Sequence, residues 1–289
     1  MKKQKLEVNK IINGHNIEVL KTFPDECIDL TVTSPPYDDL RDYKGYTFNF
    51  EELAHELYRV TKKGGVIVWV VGDQVIERSE SGSSFKQALY FKEECGFLLY
   101  DTMIYSKKGF SNPSTSRYHQ TFEYMFVLSK GKPKTFNPII DRVVKNAGRL
   151  TSTTKRQVTG ETIRVEREII CGNEKGLGKR YNIWEYDTGF SLSASDKIAF
   201  EHPAIFPEPL AEDHIISWSN KGDVVLDPMN GSGTTTKMAY LNGRKYVGID
   251  VSKRYCEIAR KRIKDTTPKV YRETNKKQIL KRHINLLEC

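Results

Sequence analysis

The feature that most constrains the fold lies near the carboxyl end of the chain, where a strand, a glycine turn, a helix and a second strand follow one another. Val224–Asp227 is an apolar run that ends in an acid, and residues 231–233 (Gly-Ser-Gly) come shortly after it. Residues 234–241 have helical character, and residues 246–250 are again strand-like. Two strands joined by a helix within about 30 residues form a parallel βαβ unit. We therefore predict an α/β domain with a largely parallel sheet.

The first 130 residues alternate in the same way between strand-like and helix-like segments. The strand-like segments are short runs rich in Val, Ile and Thr, whereas the helix-like segments place apolar residues at every third or fourth position. The predicted strands are 28–33, 66–72, 97–105 and 123–128, and the predicted helices are 50–60 and 85–95. This alternation extends the predicted parallel sheet toward the amino terminus.

Length and composition limit the class of protein. With 289 residues, the chain can form one large α/β domain with an inserted or appended element, but not two full-sized enzymatic domains. No apolar run approaches the roughly 20 residues of a membrane span. The basic start at residues 1–5 is not followed by an apolar signal core, so we expect a cytoplasmic location.

The five cysteines are scattered along the chain and form no CxxC pair. They indicate neither a disulfide framework nor a zinc site, and we expect no bound metal. None of the five follows a proline. They are Cys27, Cys95, Cys171, Cys256 and Cys289.

The positive charge of the chain is unevenly placed. Of the net charge of +9, residues 131–180 carry +7 and residues 251–289 carry +8, so the remainder is negative. Lys and Arg confined to two stretches suit a polyanionic partner, because they neutralise phosphates and release counterions. The alternative is a solvated surface with a basic tail. Residues 131–190 also lack apolar periodicity, which is typical of a functional or mobile insertion.

The glycine turn after Asp227 has the properties of a nucleoside-binding site. Glycines allow a ligand to approach the backbone closely, and the helix that follows presents its amide groups. Asp250, which ends the next strand, is placed to accept hydrogen bonds from ribose hydroxyls. The predicted cofactor-binding residues are Asp227, Pro228, Met229, Gly231, Ser232, Gly233, Thr234 and Asp250, with Pro203 and Phe206 from the preceding segment.

Three details favour S-adenosylmethionine over a phosphorylated nucleotide. Thr236 replaces the third glycine of a dinucleotide fingerprint, and no Gly-Lys-Ser/Thr sequence follows the turn. Asp227 would repel a pyrophosphate but suits a sulfonium or an amino group. S-adenosylmethionine carries both cations and no phosphate. The structural alternative is an ordinary tight turn between strand and helix.

A second motif, Ser34-Pro35-Pro36-Tyr37, lies directly after the predicted strand 28–33, at the edge where open α/β sheets bind ligands. Ser34 Oγ and the Pro35 carbonyl can each accept one hydrogen bond from an exocyclic amine and direct its lone pair at a methyl donor. Pro36 removes a competing amide donor. Tyr37 can stack on a base that has left the duplex. The alternative is a Pro-Pro turn or a polyproline ligand.

Together these motifs resemble the β-group of site-specific DNA amino-methyltransferases. Residues 34–37 match the family's [SND]PP[YF] motif, residues 227–235 match its DPFxGSGTT motif with Met229 in place of phenylalanine, and residues 202–206 match the motif before the cofactor strand. The order of the motifs defines the group. The resemblance implies a Rossmann-like fold with a seven-stranded, mostly parallel sheet, and S-adenosylmethionine as cofactor.

The resemblance also implies a division of the chain. The expected regions are a catalytic half at 1–130, a target recognition region at 131–190, a cofactor-binding half at 191–265 and a basic tail at 266–289. Double-stranded DNA is the expected partner, contacted by Lys155, Arg156, Arg164 and Arg167. A restriction-modification setting with a separate endonuclease, and a homodimer, are both compatible with it.

The base that is methylated is less constrained. Serine at position 34 is commoner among cytosine-N4 enzymes, so we expect N4 of cytosine, with N6 of adenine as the alternative. Methylation of cytosine C5 needs a cysteine after a proline, which is absent from the chain. Two other interpretations are an inactive DNA-binding homologue, which the intact motifs disfavour, and a protein or RNA methyltransferase, which the motif order disfavours.

Overall fold

The chain divides into two units, one formed by Met1–Asn137 with Ile183–Cys289 and the other by Pro138–Asn182. The computed structural model describes residues 5–36, 48–109, 115–144, 150–168, 176–189 and 192–268. Among these residues no helix is long and apolar enough to cross a membrane. The compact second unit falls within the predicted recognition region, 131–190, and is shorter at both ends.

Both units are built from the elements that follow. The helices are α1 (Asn16–Lys21), α2 (Phe50–Val60), α3 (Ser83–Glu93), α4 (Glu208–Trp218), α5 (Thr234–Leu241) and α6 (Lys253–Lys264). The strands are β1 (Lys10–Asn13), β2 (Ile28–Thr33), β3 (Thr61–Val71), β4 (Val75–Ile76), β5 (Ser79–Glu80), β6 (Leu98–Lys107), β7 (Phe122–Ser129), β8 (Ile140–Val143), β9 (Leu150–Arg156), β10 (Thr162–Glu168), β11 (Leu177–Lys179), β12 (Ile183–Tyr186), β13 (Val224–Asp227) and β14 (Lys245–Asp250). A short 3₁₀ helix spans Lys197–Glu201.

A mixed sheet forms the larger unit, with the strand order β1-β14-β13-β2-β3-β7-β6-β12. Strand β7 is antiparallel to both of its neighbours, and the other neighbouring pairs are parallel. The α/β, Rossmann-like fold is therefore confirmed. The expected number of seven strands is wrong, because the sheet has eight strands among the described residues. The additional strand is the short edge strand β12, which pairs with β6 immediately after the second unit.

The core explains why the central strands read as continuous apolar runs. In β3, every residue from Val66 to Val71 is buried, at 1% exposure or less. Strands covered on both faces of a parallel sheet lose the alternation of apolar and polar residues. On one face, Ile67, Trp69 and Val71 pack in a cluster with residues of helices α1, α2 and α3.

Helix α2 shows how local sequence sets an element. Asn49 is its N-cap, and its side chain accepts a hydrogen bond from the Glu52 amide. The Asn49 side-chain amide donates to the Glu52 carboxylate in return, so two hydrogen bonds join the N-cap residue to the first turn. Leu53, Leu57 and Val60 then lie on the face that is buried.

The second unit contains regular structure that sequence periodicity did not indicate. Strands β8 and β11 form one antiparallel pair, and β9 and β10 form another. The described side chains of β9 and β10 are almost all exposed. A ribbon with exposed faces needs little apolar alternation, and here it is limited to Ile163 and Val165 of β10.

Candidate active site

The two predicted motifs meet because β2 and β13 are parallel neighbours, with Leu226 paired to Thr31. Both motifs leave the sheet at the same edge. Thr33 Oγ1 donates a hydrogen bond of 2.7 Å to Asp227 Oδ1, across 194 positions of sequence. Thr235 Oγ1, in the first turn of α5, donates to the Val32 carbonyl at 3.0 Å. Two buried hydrogen bonds therefore join the start of the serine-proline loop to the glycine turn.

The Asp227 carboxylate is buried beneath this junction, with 2% of its surface exposed. Oδ1 also accepts a bond of 3.2 Å from the Met229 amide. Burial raises the pKa of Asp227 to about 6, against the lowering effect of its hydrogen bonds to Thr33 and Met229. Without a cationic ligand, the ionised form is therefore costly.

The turn after Asp227 depends on its two glycines. Gly233 has a φ of +82°, and a Cβ there would lie 2.6 Å from the Cβ of Ala259 in α6. Gly231 has a φ of +47°, and its Cβ would lie 2.9 Å from the His202 ring. A larger residue at either position would be strained and would push the turn from its neighbours.

Thr236 stands at the position of the third glycine of a dinucleotide fingerprint, and its side chain forms a hydrogen bond within the turn. Its hydroxyl donates to the Asn230 side-chain oxygen at 2.9 Å. The Asn230 backbone amide donates to the Ile249 carbonyl at 2.9 Å. The turn is therefore fixed to α5 and to β14 by hydrogen bonds.

Asp250 holds the other side of the turn. Its Oδ2 accepts from the Gly231 amide and its Oδ1 from the Ser252 amide, both at 2.8 Å. Burial is the main cause of the raised pKa of Asp250, and these bonds act in the opposite direction. The carboxylate is thus held in place at the carboxyl end of β14.

A cavity of about 1330 Å³ opens at this edge of the sheet. All the predicted cofactor residues except Gly233 line it, together with the first three residues of the catalytic motif. Gly233 lies behind the turn, against α6. The predicted residues in the lining are Ser34, Pro35, Pro36, Pro203, Phe206, Asp227, Pro228, Met229, Gly231, Ser232, Thr234 and Asp250.

Tyr37, the fourth residue of the predicted catalytic motif, lies outside the described residues. His202 lines the cavity, and its Nδ1 accepts from the Ala204 amide at 3.1 Å. Its ring lies edge-on to Tyr255, with 4.4 Å between centroids. Tyr255 also lines the cavity and was not identified from sequence. These contacts give His202 a packing function in the wall.

Another part of the cavity lining was missed by sequence reasoning. It includes Asp73 after β3 and Val75 and Arg78 of the β4–β5 hairpin. Asp73 is buried and accepts hydrogen bonds from the Ser84 amide at 2.9 Å and the Ser84 hydroxyl at 2.5 Å. It therefore fixes the first turn of α3 beside the cavity.

A buried ion network behind the glycine turn was also missed. Lys237 and Arg262 have side-chain exposures of 1% and 0%, and each contacts both Asp196 and Glu208. Lys237 Nζ lies 2.6 Å from Glu208, and Arg262 lies 2.7 Å from the same oxygen. Two positive and two negative groups give a neutral cluster, which is the condition for burying charges at acceptable cost.

Arg262 connects this network to the turn. Its Nη1 donates to the Ser232 carbonyl at 2.8 Å and lies 3.2 Å from the Ser232 hydroxyl and 3.3 Å from that of Thr234. Burial alone would raise the pKa of Asp196, but Arg262 and Lys237 outweigh it and hold that pKa below its ordinary value. The network thus ties the turn to α4 and α6 and to the segment before the 3₁₀ helix.

The predicted DNA-binding residues lie in the second unit. Lys155 and Arg156 are exposed residues of β9, and Arg164 is an exposed residue of β10. The backbone of Arg167 is part of β10, and its side chain is outside the described part of the structure.

Replacing Arg262 by methionine should destabilise the protein by about 3–5 kcal/mol, because Asp196 and Glu208 would keep one cation between them. Arg260→Met is the matched control, since Arg260 is exposed on the same helix and donates one bond to the Ile11 carbonyl. Denaturant unfolding of both variants checks this. Equal unfolding free energies for the two would contradict the importance of the network.

Comparison with known proteins is consistent with this geometry. The family model N6_N4_Mtase, described as DNA methylase, matches residues 28–261. The orphan methyltransferase M.BamHII of Bacillus amyloliquefaciens is 60% identical over 243 residues, which cover 83% of this chain and 90% of that protein. The DNA adenine methyltransferase YhdJ of Escherichia coli is 26% identical over 270 residues, covering 89% and 83%.

Solved structures support the fold. The PvuII DNA methyltransferase, described as cytosine-N4-specific, has a TM-score of 0.63 at 19% identity and covers 89% of this chain and 87% of its own. Two further structures with this fold were determined with S-adenosylmethionine bound. The extent of the family match and the identity to M.BamHII show that the chain belongs to the N6/N4 family of DNA methylases.

Proposed function

We propose that this chain transfers a methyl group from S-adenosylmethionine to N4 of a cytosine that has left double-stranded DNA. The observation that carries the proposal is the hydrogen bond between Thr33 and Asp227. Ser34 follows Thr33 directly, with its Cα about 3.8 Å further along the chain. A base held by the serine-proline loop and a donor held by the glycine turn would therefore be neighbours in one cavity.

The chemistry of the glycine turn supports S-adenosylmethionine as the donor. A buried carboxylate with a raised pKa gains most from a cation, and this ligand brings a sulfonium and an amino group to Asp227. Asp250 retains lone pairs for the ribose hydroxyls although both of its oxygens already accept backbone amides. When bound, the cofactor supplies an electrophilic methyl group.

Residues 34–36 support the activation of an amine. Ser34 Oγ and the Pro35 carbonyl would each accept one N–H bond, which localises the nitrogen lone pair and aims it at the methyl group. Pro36 has no amide hydrogen to compete for the same space. Stacking of the base on Tyr37 remains a prediction.

The cavity has room for a cofactor and a base together. Its volume of about 1330 Å³ exceeds the usual range for a single drug-sized ligand. An exocyclic amine in a stacked pair cannot reach this cavity, so the reaction requires base flipping. DNA contact through Lys155, Arg156, Arg164 and Arg167, a cytoplasmic location, a homodimer and a separate endonuclease remain predictions.

The choice of cytosine rests on Ser34. The relatives and similar structures include both an adenine methyltransferase and a cytosine-N4-specific one. Adenine N6 is therefore the second candidate, with the same hydrogen bonds to the amine. An inactive homologue is disfavoured by the intact arrangement of the described motif residues.

Mass spectrometry of nucleosides tests the proposed reaction. Purified protein is incubated with unmethylated DNA and methyl-labelled S-adenosylmethionine, and N4-methylcytosine should form. Ser34→Ala should lower turnover about 100-fold or more, in the range for loss of a positioning or electrostatic contact, while cofactor affinity stays unchanged. Formation of N6-methyladenine would assign the reaction to adenine. The absence of any methylated nucleoside would refute the proposed reaction.

Cofactor binding should tighten as the pH rises from 5 to about 6.5. Ionised Asp227 attracts the cationic ligand, so binding lowers its pKa from about 6 and releases a proton. The affinity should change by up to about tenfold per pH unit below pH 6. Isothermal titration calorimetry in buffers of different ionisation enthalpy measures both quantities.

Asp227→Asn is the control for this pH dependence, because the amide does not titrate. The affinity of this variant for the cofactor should be lower and should change much less with pH over the same range. The same raised pKa means that the free wild-type protein loses stability as the pH rises from about 4 to 6. An affinity that falls as the pH rises would contradict the assigned role of Asp227.

A further inference from the structure

The hairpin formed by β9 and β10 has two chemically different faces. The strands pair in antiparallel register, with Arg156 opposite Thr162 and Thr154 opposite Arg164. Residues directly opposite each other lie on the same face, and the face changes with each step along a strand. The hairpin turn is closed by a 2.7 Å bond from the Gln157 amide to the Glu161 carbonyl. The register therefore assigns each side chain to one of two faces.

On the first face, called here the polar face, every described side chain has a hydrogen-bonding group. The second, the mixed face, combines a lysine with apolar side chains. The described part of the polar face consists of Ser152, Thr154, Arg156, Thr162, Arg164 and Glu166, and that of the mixed face consists of Thr153, Lys155, Ile163 and Val165.

The hairpin is exposed on both sides. All the described side chains of the polar face are exposed, and among those of the mixed face only Val165 is partly buried. The two strands form a sheet of their own. A two-stranded ribbon gains little stability by itself, which favours a partner that packs around it. The major groove of B-DNA, which is about 12 Å wide, admits a two-stranded β-ribbon.

Arg164 is already oriented on the polar face. Its Nε donates a hydrogen bond of 2.5 Å to the hydroxyl of Ser152 on the other strand. A guanidinium held through Nε presents its terminal nitrogens in a fixed direction, which suits bidentate recognition of a guanine edge. Arg156 lies on the same face one pair nearer the turn and on the other strand, so the two arginines are diagonal neighbours across the ribbon.

We propose that the polar face of this hairpin enters the major groove and reads bases, with Arg156 and Arg164 as specificity-determining residues. The mixed face reads no bases, and Lys155 contributes attraction to phosphates only. This rests on the proposed function, because it takes duplex DNA as the substrate. It goes further by separating base-reading residues from charge-supplying residues within one basic segment.

The experiment selects bound duplexes from a pool with a randomised centre and compares Arg156→Ala, Arg164→Ala and Lys155→Ala with the wild type. The wild type should enrich one sequence motif. Each arginine variant should lose preference at one position and bind the wild-type motif about 5- to 150-fold more weakly, the range for loss of one bidentate base contact. Ser152→Ala should weaken the same position as Arg164→Ala, but less.

Lys155→Ala is the matched control, since it removes one positive charge from the adjacent position on the same strand. This variant should still prefer the same base at every position of the motif. Its affinity should fall by the same factor for motif and random DNA, and the salt dependence of binding should fall by about one counterion. Cofactor binding by all variants shows that the larger unit is intact.

Two results would overturn the proposal. One is a wild type that enriches no motif, and the other is a pair of arginine variants that keep the full motif and behave as Lys155→Ala does. Because the selection measures binding alone, its outcome is separate from that of the nucleoside assay. If the arginine variants keep the full sequence preference while the protein methylates DNA, the proposed function stands and other residues read the bases.

Discussion

The parallel pairing of β2 with β13 is the constraint on which the site depends. It places Thr33 beside Asp227, and their buried 2.7 Å hydrogen bond joins two loops that are 194 positions apart. Parallel strands release their loops at one edge of the sheet, so both motifs open into the same cavity. Neither motif could hold a reaction by itself. The order of the two motifs along the chain is unimportant for the chemistry, because the sheet restores their proximity.

Two kinds of buried charge surround the glycine turn, and they serve different purposes. Asp196, Glu208, Lys237 and Arg262 neutralise one another and fix the turn from behind. Asp227 is also buried, but its described hydrogen-bond donors, Thr33 and Met229, are uncharged. Burial raises the pKa of Asp227 to about 6. A neutral cluster provides rigidity, whereas an uncompensated carboxylate provides affinity for a cationic ligand. This contrast supports a site that is preorganised for a positively charged donor.

The sequence was sufficient where a local pattern carries the information. The βαβ unit at 224–250, the glycine turn and the strand before Ser34 all have short-range signatures, and the structure brings Ser34 and Asp227 into one cavity. The ion network was not predictable, because Arg262 lies 66 positions from Asp196 and a lone basic residue in a helix is normally exposed. The extra strand β12 has only four residues, which are too few to show a repeating pattern. In the β9–β10 hairpin only Ile163 and Val165 alternate with polar residues, which is too short a pattern to predict a pair of strands.

A structure of the protein with S-adenosylhomocysteine and a duplex that carries its binding site tests most directly whether the two motifs form one site. We expect the ribose to lie on Asp250, the amino group of the cofactor to lie near Asp227, and the exocyclic amine of one flipped base to donate to Ser34 Oγ and the Pro35 carbonyl. A base amine held by other groups, or a cofactor bound away from the Asp227 turn, would contradict this expectation.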